Sequence, residues 1–188
     1  MMVATAKKKK PTWSDLKRAI AGLDRDALLG LVHDLYAAGK ENKAFLHARF
    51  GLGDDVLEPY KETIFRWVCP DVTRNQDYSV AKAKKAISDY KKAIGHAEGM
   101  AELLVYYCES CSAFLGYCGL DDDHYFDTLV RMFEWALQAI VALEPSQQND
   151  FIERLECIRR EGCTSFSWRC DVGSDMGELM VEYGFAKE

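Results

Sequence analysis

Two cysteines three residues apart are the sharpest chemical feature of the sequence. Cys108 and Cys111 form a C-x-x-C pair, and Cys163 and Cys170 offer two further thiols later in the chain. Zinc binds four thiolates in a tetrahedron when the ligands come from closely spaced pairs. These four cysteines are therefore a candidate metal site, and the C-x-x-C pair alone is a candidate redox centre.

The spacing around the pair also fits the buried face of a helix. Intervals of four, three, four and three residues place five apolar or thiol side chains on one side of a helix: Leu104, Cys108, Cys111, Leu115 and Cys118. Cysteine on such a face packs as a small apolar side chain. The sequence lacks the β-α-β pattern of a thioredoxin-like site. The pattern favours core packing, and we predict no cofactor and no bound metal.

A cluster of lysines occupies a second helical segment. This lysine cluster consists of Lys82, Lys84, Lys85, Lys91 and Lys92, with Asp89 as the one acidic residue among them. Lysines on a single ridge can neutralise phosphates, so the segment is a candidate nucleic-acid surface. Because it has no arginine and no aromatic side chain on its lysine face, a solvated face or one docked on acidic groups is the favoured interpretation.

One irregular stretch near the carboxyl end carries aromatic and cationic side chains. Phe166, Trp168 and Arg169 lie between Cys163 and Cys170. Such residues in loops are enriched at binding hot spots, so this segment is a candidate partner loop. The competing interpretation is that the aromatic side chains pack onto the helical core.

No catalytic motif accompanies these candidates. The sequence contains no G-x-S-x-G, no Walker A and no Rossmann fingerprint. It therefore names no catalytic residue and favours a protein without catalytic activity.

The elements that carry these residues are predicted to be about nine helices. Ser14, Asp24 and Ser79 are expected N-caps, and Asn42 is expected to cap a short helix through Phe50. No segment alternates with period two between turn signals, so no sheet is predicted. The expected fold is all-α, with antiparallel helices in an up-down array or a short solenoid of helix pairs.

The domain organisation follows from the same pattern. Residues 1–12 contain the run Lys7–Lys10 and are predicted to be a disordered basic tail. Residues 13–188 are predicted to form a single helical domain, with a candidate sub-boundary in the polar 70–78 loop.

The charge is unevenly distributed along the chain. The 188 residues have a net charge of -6. Residues 1–94 hold 18 basic and 12 acidic residues, whereas residues 95–188 hold 6 basic and 18 acidic residues. The halves therefore carry +6 and -12, and opposite charges of this size favour docking within a chain or between chains.

Signals for export and membrane insertion are missing from the sequence. The basic start is not followed by the roughly 7–15 apolar residues of a secretory signal, and no run approaches the ~20 residues of a membrane span. Seven cysteines form an odd set, which is typical of reduced thiols. We expect a cytoplasmic protein with no membrane partner.

Five segments carry a family resemblance. They are Trp13–Arg18, Leu35-Tyr36, Asn42–Phe50, Tyr60-Lys61 and Ala86–Ala93. Together they resemble a small bacterial family known only as a domain of unknown function. The resemblance implies a cytosolic, all-helical bacterial protein and supplies no catalytic residue or ligand.

These observations favour a helical protein-interaction module whose partner is another protein or a second copy of itself. Two alternatives stay open. The first is a nucleic-acid-associated protein that uses the helix from Lys82 to Lys92. The second is a metal- or thiol-dependent protein centred on Cys108 and Cys111.

Overall fold

The computed structural model describes residues 10–52, 55–164 and 171–186. Within these ranges the chain forms nine α-helices and no strand, which confirms the all-α prediction. The predicted basic tail lies outside the described residues as far as residue 9. The up-down array or short solenoid stays a prediction.

The helices are, in chain order, α1 Trp13–Ile20, α2 Arg25–Ala38, α3 Lys40–Phe50, α4 Glu58–Val68, α5 Val80–Ala93, α6 Ala97–Tyr117, α7 Asp123–Val141, α8 Pro145–Thr164 and α9 Val172–Glu182. A single 3-10 turn, Val72–Arg74, lies between α4 and α5.

Side-chain caps explain why several helices begin where they do. Asp24 accepts a hydrogen bond from the Ala27 N–H at 2.8 Å, and Ser79 accepts one from the Lys82 N–H at 3.4 Å. Each bond satisfies a backbone donor that has no partner within its helix. Both residues cap the helices for which the sequence predicts them.

Two predicted caps are wrong. The N-cap of α1 is Thr12, whose backbone N–H and hydroxyl both donate to Asp15 at 2.9 and 2.7 Å, so Ser14 lies inside the first turn. Asn42 lies inside α3, where its side-chain amide donates to the Leu35 carbonyl at 2.7 Å. In α1 the Thr12–Asp15 pair takes the capping position, and in α3 the helix begins two residues before Asn42.

The chain divides into two compact units, residues 1–43 and residues 44–188. We call them the amino-terminal unit and the core unit. The boundary lies inside α3, and the 70–78 segment lies within the core unit. In the amino-terminal unit, α1 and α2 contain no buried residue.

The core unit is built around α6, which contacts α4, α5, α7 and α8. Fully buried side chains from four of these helices meet in one apolar cluster, including Ile64, Leu103, Phe133 and Leu155. Helix α9 packs against α7 and α8. A central helix with neighbours on several sides is apolar around most of its circumference, and twelve residues of α6 are buried.

Gly95 allows the tight connection between α5 and α6. Its φ is +64°, and a Cβ at this position would lie 2.8 Å from the Lys91 carbonyl oxygen. Only glycine adopts this conformation without strain. The connection sets the position of α5 relative to α6, and the candidate site lies along these two helices.

Candidate functional site

An open groove of about 850 Å³ lies along α5, α6 and α7 in the core unit. Its lining residues are Lys84, Lys85, Ile87, Ser88, Lys91, Ala97, Met100, Leu104, Met132, Trp135, Gln138, Ala139 and Ala142. We call it the lysine-rimmed groove. It holds most of the lysine cluster that the sequence singles out.

Helical periodicity brings these residues to one surface. On α5 the residues 84, 87, 88 and 91 recur at intervals of three and four, and on α7 the residues 132, 135 and 139 do the same, with Ala142 directly after the helix. Helix α6 contributes Met100 and Leu104 and contacts both α5 and α7. Helices α5 and α7 therefore form the two walls of the groove, and α6 lies between them.

Small side chains keep the groove open. Ala97, Ala139 and Ala142 stand at positions where larger residues would fill the space between the helices. Met100, Leu104 and Met132 provide an apolar lining that is half-buried or buried. The result is a concave apolar surface rather than a closed core.

Among the described residues, the groove is lined by charge of one sign. Lys84, Lys85 and Lys91 are the charged residues within residues 10–52, 55–164 and 171–186 that line it. The Lys85 ammonium is 2.6 Å from the Asp89 carboxylate. Within the described ranges, Lys84 and Lys91 have no ion pair. An acidic ligand in the groove would therefore meet two cations that are not paired with any carboxylate of the described residues.

The other two members of the lysine cluster lie elsewhere. The Lys82 ammonium is 3.6 Å from the centre of the Trp67 ring, a cation–π contact with α4. Lys92 does not line the groove, and its ammonium is 3.8 Å from Asp89. The lysine cluster is thus divided among three places. Three of its members line the groove, Lys82 contacts an aromatic ring, and Lys92 lies in an exposed ion pair.

Trp135 is the large aromatic side chain of the groove and is 42% exposed. Tryptophan is enriched at the centres of protein interfaces because it buries a large area with few rotatable bonds. The sequence analysis did not single it out. The signal that could have found it is the stripe Met132, Trp135, Ala139, which runs beside the buried stripe of α7.

The C-x-x-C pair lies in the core. Cys108 and Cys111 are fully buried in α6. Burial raises the pKa of the Cys108 thiol well above its ordinary value and raises that of Cys111 to about 12. Both thiols are therefore protonated at neutral pH and are poor nucleophiles.

Of the two later cysteines, the structure describes only Cys163, which lies apart from the buried pair on α6. Cys163 is exposed near the end of α8, where the Arg159 guanidinium is 3.8 Å from its sulfur. Cys170 lies outside the described residues, as do Phe166, Trp168 and Arg169. Over residues 10–52, 55–164 and 171–186, no group of three or more histidine, cysteine or acidic side chains is arranged to hold a metal ion.

A second open groove, of about 750 Å³, lies along α8 and α9. Glu153, Glu156 and Glu178 line it together with Arg159, whose guanidinium lies 2.6 Å from Glu156. Because its cation is already paired and its charge is mixed, this groove has a weaker preference for any one ligand class.

No known protein matches the chain: no family model, no curated protein and no solved structure does so. The bacterial family resemblance therefore stays an expectation. Within the described ranges, no helix combines the length and the apolar character that crossing a bilayer requires.

Proposed function

We propose that the chain is a helical protein-interaction module whose lysine-rimmed groove binds an amphipathic helix with acidic flanks. The observation that carries this proposal is one surface that combines an apolar lining, an exposed tryptophan and, among the described residues, a rim charged by lysines. The proposal assigns no catalytic role to any residue.

The shape of the groove supports a helical partner. An amphipathic helix inserts side chains at intervals of three and four residues into a groove between helices. Trp135 and Met132 offer the apolar contact, and the alanines of α6 and α7 leave room for the inserted side chains. Glutamate or aspartate beside that apolar stripe would face Lys84 and Lys91.

The charge distribution favours such a partner over a nucleic acid. Nucleic-acid surfaces gain affinity from many cations that face one phosphate backbone. Here Lys82 lies against Trp67, and Asp89 lies near both Lys85 and Lys92. The cations that remain, Lys84 and Lys91, line the α5 wall of an apolar groove, which matches an acidic protein segment better than a polyanion.

A thiol- or metal-dependent activity at Cys108 and Cys111 has less support. The burial of both side chains separates them from solvent and substrates. A cytoplasmic location belongs to the same proposal, and the odd number of cysteines supports it.

The test uses a labelled peptide of about 18 residues with a leucine stripe at helical spacing and glutamates on both flanks. Fluorescence anisotropy measures its affinity for the full chain. We expect the double substitution Lys84→Glu, Lys91→Glu to raise the Kd at least about tenfold. We expect Trp135→Ala to do the same, because an anchor at a hot spot contributes about 2 kcal/mol.

The matched control is Lys92→Glu, which makes the same change on the same helix outside the groove. It should leave the Kd within about twofold. A scrambled peptide of equal composition should bind weakly. Equal loss of affinity for the control and the groove variants would contradict the groove, and tighter binding of a single-stranded oligonucleotide would favour the nucleic-acid alternative.

A further inference from the structure

The two walls of the lysine-rimmed groove differ in charge. The α5 wall carries all three lysines that line the groove. The side chains that line the groove from α7 are uncharged: Met132, Trp135, Gln138 and Ala139. Ala142, directly after the helix, is also uncharged and is exposed. As far as the described residues go, a ligand in the groove therefore meets cations along one of its sides only.

The hydrogen bonds of Gln138 add to this difference. Its side-chain amide nitrogen donates to the Glu134 carboxylate at 3.1 Å and to the Tyr183 hydroxyl at 2.8 Å. A side-chain amide has two N–H donors, so both donors of Gln138 are in use. A carboxylate brought to the α7 wall would lose hydration without gaining a cation or these donors, and Glu134 would repel it.

On the α5 wall, the two lysines that form no ion pair within the described ranges stand in line. Lys84 and Lys91 are seven residues apart in α5, which is about 10.5 Å along the helix axis and about 20° around it. Ser88 is exposed between them and also lines the groove, where its hydroxyl adds a hydrogen-bond donor. Two carboxylates that are seven residues apart on one edge of a bound helix would reach both lysines.

We propose that the helix bound in the lysine-rimmed groove carries its acidic residues on one edge only, two turns apart, and presents that edge to α5. Its other edge, which faces Trp135 and Gln138, is uncharged. This inference rests on the proposed function and narrows it, because it assigns the acidic residues of the partner to a single flank of the apolar stripe.

Two peptides of identical composition test the arrangement. Both have about 18 residues and a leucine stripe at helical spacing. The one-edge peptide has two glutamates seven residues apart on one side of the stripe and two glutamines at the matching positions of the other side. The split peptide exchanges one glutamate with the glutamine opposite it. Fluorescence anisotropy with the full chain at low salt measures both Kd values, and circular dichroism checks that the peptides are equally helical.

The one-edge peptide should bind at least about threefold more tightly, because it pairs with both lysines whereas the split peptide pairs with one. A third peptide, with both glutamates on the opposite edge, covers the direction of binding, since reversing the chain direction exchanges the two edges. At least one of the two single-edge peptides should show the advantage, and the advantage should shrink at high salt.

Two variants of the chain locate the effect. Lys84→Gln with Lys91→Gln removes two cations of the α5 wall and should make the single-edge and split peptides bind equally. Ala142→Lys adds a cation beside the α7 wall and should tighten binding of the split peptide about threefold, because its second glutamate then faces a lysine. The matched control Val141→Lys makes the same change one residue earlier, where the exposed valine does not line the groove. It should change each Kd less than twofold.

The outcomes separate the one-edge arrangement from the proposed function. Equal Kd values for the single-edge and split peptides, with both weakened by Trp135→Ala, would overturn the arrangement and leave helix binding in the groove intact. A one-edge advantage that survives Lys84→Gln with Lys91→Gln would place the selectivity outside the α5 wall and would also overturn it. A Trp135→Ala variant that binds every peptide as tightly as the wild type would overturn the proposed function and the arrangement together.

Discussion

At the scale of single residues, the environment of each cysteine decides its chemistry. Cys108 and Cys111 share the C-x-x-C spacing of metal and redox sites, but they lie among the fully buried side chains of α6. Cys157 and Cys163 have no such motif, but they are exposed on α8. Since the thiolate is the reactive form, burial suppresses reactivity at the first pair and leaves the second pair accessible.

We therefore predict the order of thiol alkylation in the native protein. Iodoacetamide at about pH 8 should modify Cys157 and Cys163 and leave Cys108 and Cys111 unmodified until the chain unfolds. Peptide mapping by mass spectrometry measures each site. A bound metal would also protect a thiol, so the labelling is repeated after treatment with a chelator. Rapid modification of Cys108 or Cys111 only after chelation would favour the metal site.

At the scale of elements, one arginine connects the central helix to its neighbour. The Arg154 side chain of α8 lies 2.6 Å from Glu102 and 2.7 Å from Glu109, both on α6. Lys61 of α4 is also 2.6 Å from Glu102. These half-buried groups join three helices at one point. Burial by itself raises the pKa of Glu102, but the hydrogen bonds from Arg154 and Lys61 outweigh it and hold the pKa below its ordinary 4.5.

Replacing this arginine should destabilise the fold in a pH-dependent way. We expect Arg154→Met to lower the free energy of unfolding by about 1–3 kcal/mol near neutral pH, because Glu109 and Glu102 both lose the Arg154 guanidinium and Glu102 keeps the Lys61 ammonium. Urea denaturation measures the change. The control Arg160→Met removes a mostly exposed cation of the same helix and should cost less than about 1 kcal/mol.

The pH dependence has a definite sign. Because the folded-state pKa of Glu102 is lowered, its contribution is complete above the unfolded value of 4.5 and is lost as the pH falls through the folded value. The difference between wild type and Arg154→Met should therefore shrink at acid pH. A difference that stays constant down to about pH 3 would show that Arg154 acts through packing alone.

The helices themselves could be predicted from the sequence because their signals are local. The stripe Val80, Ala83, Ile87, Tyr90 indicates α5, and all four side chains are buried. Asp24 and Ser79 cap their helices as expected. Ser14 is not the N-cap of α1, because Thr12 takes that position and donates two hydrogen bonds to Asp15. The preference of serine and threonine for N-caps does not decide which of two neighbouring candidates takes the position.

The groove could not be predicted, because it depends on distances between helices. The sequence identifies Lys84 and Lys91 as part of a basic ridge, but it does not reveal that Trp135 of α7 lies on the same groove. The size of the lysine-rimmed groove depends on small residues on two different helices, such as Ala97 on α6 and Ala139 on α7. Periodicity within one helix indicates an apolar face and leaves open what covers it.

At the scale of the whole molecule, the buried apolar side chains of the described residues belong to one of the two units. All the buried apolar side chains of the described residues lie between Ala48 and Met180, within the core unit. Helices α1 and α2 contribute none. Stability and groove binding are thus expected to reside in the core unit.

A shortened chain that begins at Gly39, just before α3, tests whether the core unit alone provides stability and groove binding. We expect its free energy of unfolding to stay within about 1 kcal/mol of the full chain, since no buried apolar side chain is removed. Because α3 is retained, the Arg49 side chain still donates to the Ala93 carbonyl at 3.0 Å. Urea denaturation and peptide anisotropy measure the two outcomes. The shortened chain should bind the acidic peptide with unchanged affinity. A loss of more than about 2 kcal/mol would show that residues before Gly39 stabilise the core, and a raised Kd for the peptide would show that they contribute to the groove.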